Sequence, residues 1–110
     1  MINWDRVDEL RHEVGPEDFN EVIELFLEEV DDTISTLGMC DGNRTLEEQL
    51  HFLKGSALNI GFSDFASLCH AGETASAQGR ADQVDIAEIQ AAYGAVRAEF
   101  LMKTEVRYVA

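Results

Sequence analysis

Leu50-His51-Phe52-Leu53-Lys54-Gly55-Ser56-Ala57-Leu58-Asn59-Ile60-Gly61 is the stretch whose reading decides the fold. Its spacing predicts a helix with one histidine on the solvent side. With Leu50 at zero on a wheel of about 100° per residue, Leu46, Leu53, Ala57 and Ile60 fall within about 80° to one side, the stripe of a buried face. His51 lies about 100° round in the other direction. Gly55 stands one turn along beside His51, and Lys54, its i+3 neighbour, sits nearer the edge of the buried face. A glycine inside a helix costs about 1 kcal/mol relative to alanine. At this position the cost implies a need for close approach, because a side chain at 55 would crowd the imidazole.

The flanking sequence reads as further amphipathic helices. Residues 3 to about 14 bury Trp4, Val7, Leu10 and Val14, and Gly15 ends the helix. Pro16 is placed to open a second helix, which runs to about Leu37 on a stripe of Phe19, Val22, Ile23, Phe26, Leu27, Val30, Ile34 and Leu37. Its acidic residues, Glu21 to Asp32, read as a solvated face. The Cys40-Asp41-Gly42-Asn43 loop turns the chain, and Asn43 or Thr45 caps the third helix; Thr45 with Glu48 has capping-box spacing. Ser63 or Asp64 starts a fourth helix that buries Phe65, Leu68, Cys69, Gly72 and Ala75. Beyond Phe65 and Leu68 that face is small, so a neighbouring helix can come close. The fifth helix starts near Asp82 or Asp85, buries Ile86, Ile89, Tyr93, Val96, Phe100 and Leu101, and runs to about Lys103. The tail to Ala110 extends it or frays. Short connections make successive helices antiparallel neighbours. The prediction is an all-α fold: an up-down-up-down four-helix bundle with a short additional N-terminal helix laid across one end, forming a single domain over 1–110.

Composition excludes several classes of function. The net charge is −14, from 8 basic and 22 acidic residues. Phosphate backbones and anionic membrane surfaces both call for clustered Lys and Arg, so neither nucleic acid nor membrane is expected as a partner. No apolar run is long enough to span a bilayer, and the N-terminus does not look like a signal peptide. Cys40 and Cys69 read as reduced thiols, which points to the cytoplasm. Cys69, on an apolar helix face, reads as core packing. No two of the three histidines share helical metal-ligand spacing, and His12 and His70 read as structural or solvent-facing.

His51-x-Leu53-Lys54-Gly55-Ser56, followed by Asn59 and Gly61, resembles the signature of histidine-containing phosphotransfer (HPt) domains, the phosphorelay modules that shuttle a phosphoryl group between receiver-domain aspartates. The match is concentrated between Leu50 and Glu73, with two departures. Leu50 stands where the family often has alanine, and Gly72 stands where a larger apolar residue is expected, which implies a locally thinner or differently packed bundle.

The resemblance implies a phosphocarrier. His51 would accept the phosphoryl group, with Lys54 as the cation offsetting its charge and Gly55 giving the partner access. It also implies response-regulator receiver domains or a hybrid sensor kinase as partners, a monomer, and no cofactor of the chain's own, with Mg²⁺ on the receiver. From the residues themselves, Nε2 is the expected nucleophile as the freer ring nitrogen, and Glu47 and Glu48 on the preceding turn would favour the protonated ring. Phe52, on the outer half of the wheel, reads as part of a docking patch with Asn59 and Ser56, the last at its flank. A non-catalytic module that sequesters a receiver is the alternative. A kinase would need a nucleotide-binding segment, and a hydrolase a second acid/base group; the sequence supplies neither.

Overall fold

The computed structural model describes residues 2–39 and 45–108. The Cys40–Asn43 reading, the Asn43 alternative for a cap and the end of the tail lie outside them. Five α-helices follow in order: α1 Trp4–Val14, α2 Phe19–Ser35, α3 Leu46–Ile60, α4 Ser63–Ala77 and α5 Ile86–Arg107, with one 3₁₀ turn at Ala81–Gln83 ahead of α5. The α2–α5 helices make the four-helix bundle, and α1 packs on α2 and α3.

Local chemistry sets most of these boundaries. Thr45 caps α3 through a complete capping box: its hydroxyl accepts from the Glu48 backbone N–H, and the Glu48 carboxylate accepts from the Thr45 N–H. Gly61 ends α3 in the left-handed conformation at φ 92°. A Cβ there would also fall 2.7 Å from the Asn3 carbonyl oxygen, so both backbone angle and space call for glycine. The Asp85 side chain accepts from the Glu88 N–H at the start of α5.

One boundary differs from the sequence reading, and two fall on alternatives it left open. Pro16–Asp18 form a turn rather than the first turn of α2, which begins at Phe19. Of the two starts expected for α4, the helix takes Ser63, with Phe62 in the cap position. At the far end α5 continues to Arg107, because Asp8 of α1 accepts hydrogen bonds from both Arg107 and Tyr108.

A single core joins all five helices, including Val7, Leu27, Leu50, Leu53, Phe62, Cys69 and Phe100. At the end sealed by α1, Trp4 stacks on Phe100 at 5.9 Å, and Phe62 meets the same ring edge-on at 5.3 Å. The N-terminal strand of backbone is tied to the α3–α4 turn, where Asn3 N–H donates to Gly61 O at 2.6 Å and Arg6 Nε donates to Asn59 O at 2.9 Å. Leu101, expected on the apolar side of α5, is instead exposed. The buried amide of Gln49 accepts from Gly38 N–H and donates to Thr36 O, fixing the α3 entry against the end of α2.

Candidate functional site

The buried stripe of α3 is as the wheel predicts, with Leu50, Leu53, Ala57 and Ile60 all buried. That burial orients the rest of the helix. His51 emerges with 70% of its side chain exposed, and Gly55 is exposed one turn along. A Cβ at Gly55 would meet nothing within 4 Å, so no packing inside the chain requires glycine there. The same holds for Gly94 in α5, which has no histidine beside it.

The α3–α4 hairpin brings in a residue to which the sequence reading assigned no role. Glu73 of α4 places Oε2 2.8 Å from His51 Nδ1 and Oε1 2.8 Å from Lys54 Nζ. One carboxylate thus joins the imidazole and the ammonium of the sequence motif. The pair also fixes the ring's chemistry. A carboxylate can only accept a hydrogen bond, so Nδ1 is the donor, and in the neutral ring the lone pair is on Nε2. The Lys54 ammonium holds the Glu73 carboxyl below its ordinary value; burial works in the other direction, and the His51 ring adds to the lowering. At neutral pH Glu73 is therefore an anion.

Lys54 is only 24% exposed and already paired, so it is not the free point charge the sequence suggested. An incoming phosphoryl group would share it with Glu73. Glu48, expected to act on the ring together with Glu47, turns its carboxylate back to the Thr45 cap, while Glu47 is exposed. Glu73 is a carboxylate that touches the ring.

The three residues assigned to docking separate. Asn59 is exposed, with its carbonyl held by Arg6. Phe52 is half-buried and packs partly against the core rather than standing clear. Ser56 is half-buried too, lining a narrow crevice with Phe26 and Val30 of α2. The large apolar side chain that does stand out on this helix is Leu58, 56% exposed and two turns beyond His51. Its wheel position, about 20° from that of His51, was the available signal.

Cys69, one turn before Glu73 on α4, is fully buried, and burial pushes its thiol up to about 12, with the Glu73 charge adding to the effect. It belongs to the packed core. His12 and His70 are exposed. Among the described residues, no helix is long and apolar enough to cross a membrane.

A scan against protein-family models matches residues 21–99 to the Hpt domain. Comparison with curated proteins and with solved structures gave no match. The matched span contains α3, α4 and every residue of the His51–Lys54–Glu73 cluster.

Proposed function

Because the chain belongs to the Hpt domain family, whose members carry phosphoryl groups in phosphorelays, we propose that His51 is the phosphorylated residue. It takes the group from a receiver-domain aspartate and passes it to another receiver. The observation that carries this reading is the exposed ring of His51, held through Nδ1 by Glu73 so that Nε2 faces an incoming group with its lone pair.

In the transfer, the Nε2 lone pair attacks the phosphorus of the partner's aspartyl phosphate in line with the P–O bond. That bond breaks, and the aspartate carboxylate leaves with the electron pair. The Nδ1 proton stays on the ring, where Glu73 offsets the cationic character that phosphorylation creates. Lys54, held within one turn of the ring by the same carboxylate, offsets charge on the phosphoryl oxygens. Discharge to a second receiver runs these steps in reverse. The receiver brings its aspartate and its Mg²⁺, and this chain brings the nucleophile and its two supporting charges. The open space at Gly55 lets the partner's surface approach. Partners in this reading are receiver domains, free or within a hybrid sensor kinase. The setting is the cytoplasm, and the working unit is one copy of the chain.

The test is incubation with a phosphorylated receiver. Acid-labile label arriving on the protein, and absent from His51→Gln, is the expected result. Stable binding of the phosphorylated receiver with no label transferred would overturn the carrier reading in favour of sequestration.

A further inference from the structure

The two residues that immediately precede His51 and Glu73 form a matched pair of unequal size. Leu50 is fully buried, and a Cβ placed on Gly72 would fall 2.9 Å from its Cδ1. Real Cβ atoms do not approach so closely, so a side chain at 72 requires either that the end of the Leu50 side chain turn aside, against its buried surroundings, or that α4 move outward. Val84 Cγ1 and Ile89 Cδ1 close the other side of that position at 3.5 and 3.7 Å. Ala66 and Cys69 continue the same small, buried face of α4. Small residues let helix axes approach, and α3 with α4 is the most extensive helix pair in the molecule.

That approach has a functional consequence. Glutamate has a short reach, and Glu73 satisfies two partners on α3 at once, each at 2.8 Å. Moving α4 outward by the width of a methyl group would leave its carboxylate short of both. We propose that Gly72 is a positioning residue: by leaving room for Leu50, it sets the α3–α4 separation at which Glu73 can hold His51 Nδ1 and Lys54 Nζ together. The Leu50–Gly72 packing thereby fixes which imidazole nitrogen is presented to the partner. As a role in transfer this rests on His51 being the phosphoryl acceptor; as a statement about the ring's hydrogen bond it does not.

The experiment is a size series, Gly72→Ala, Gly72→Val and Gly72→Leu, built in the wild-type chain and in L50A. Each folded variant, judged by its melting curve, is read in two ways. Imidazole ¹⁵N shifts report whether Nδ1 of His51 carries the proton, and transfer from a phosphorylated receiver gives the rate. In the wild-type background, larger residues at 72 are expected to erase the Nδ1–H signature progressively and to slow transfer by about tenfold at the large end, the loss of one charge-assisted hydrogen bond. In L50A, where the facing volume is removed, the same substitutions are expected to keep the signature and most of the rate. An equal decline in both backgrounds, or none in either, overturns the proposal. If wild type accepts no phosphoryl group while the Nδ1 signature still follows residue size, the carrier reading falls and the positioning stands.

Discussion

His51 and Glu73 stand at equal chain distance on either side of Phe62, and their side chains meet at 2.8 Å. Two helices folded back about one tight turn pair residues that are equidistant from it. Leu50 meets Gly72 across the same hairpin, as a pair centred one residue earlier, on Gly61. The site is thus a property of the α3–α4 hairpin, and the remaining helices hold that hairpin in place.

Removing the Glu73 carboxylate should impair the ring without unfolding the bundle. Glu73→Ala loses the acceptor at Nδ1 and frees Lys54, while Glu73→Gln keeps an acceptor oxygen. A hydrogen bond to a charged group contributes roughly 1.5–3 kcal/mol, so Glu73→Ala is expected to slow transfer to His51 about ten- to a hundredfold. Glu73→Gln should lose much less. Initial rates with a phosphorylated receiver check this; equal rates for wild type and Glu73→Ala would remove Glu73 from the mechanism.

The lowered Glu73 carboxyl predicts a pH dependence of stability. The folded-state value lies below the ordinary 4.5, with Lys54 the principal cause. More protons bind in the unfolded state, so the anion's contribution is fully present above about pH 4.5 and is lost as pH falls through the lower folded value. Urea midpoints of wild type and Glu73→Gln should therefore draw together as pH falls below about 4.5. A gap that persists unchanged well below about pH 4.5 would contradict the ion-pair geometry.

How much of this could be read in the sequence follows from the range of each signal. The five helices, the Thr45 capping box and the Gly61 stop are local, written within one or two turns of chain, and they stand where the pattern puts them. The exposure of His51 follows from the stripe opposite it. What the wheel could not show is contact between helices. Glu73 needed the hairpin register, and the departures at Leu50 and Gly72 become one compensated pair only when the helices face each other. Residue type alone did not show which polar side chains are engaged between helices. Gln49 is buried because it bonds the end of α2, and Asp31, within the acidic run read as a solvated face, is engaged by Tyr93 and Arg97 of α5.

Gly55 and Gly94 offer a controlled comparison of stability with access. Both are helical, and a Cβ at either meets nothing. Gly55→Ala and Gly94→Ala should each raise stability by up to about 1 kcal/mol, through helix propensity and a less flexible unfolded chain. Larger side chains should separate the two sites. Gly55→Gln is expected to suppress phosphoryl transfer while leaving the fold intact, and Gly94→Gln to leave transfer unchanged. Denaturant curves paired with transfer rates read both effects, and normal transfer in Gly55→Gln would contradict the access argument.

The α2–α5 contact makes a last prediction, about where stability resides away from the site. Asp31 accepts hydrogen bonds from the Tyr93 hydroxyl and, through both carboxylate oxygens, from Arg97 Nε and an Arg97 terminal nitrogen at 3.0 Å each. Tyr93 is buried, and burial first, then Asp31, pushes its hydroxyl well above the ordinary range, so it remains a neutral donor. Asp31→Ala strands that donor and the guanidinium together. The expected loss is about 2 kcal/mol, mostly the cost of leaving a buried hydroxyl without a partner. Tyr93→Phe removes the donor with its bond and should cost less, and in that background Asp31→Ala should cost less than it does alone. Transfer rates at saturating receiver should not move, since none of these residues lies on the α3–α4 hairpin. Additive losses in the double variant would show that Asp31 and Tyr93 act independently and that the hydrogen bond between them contributes nothing to holding α5 against α2.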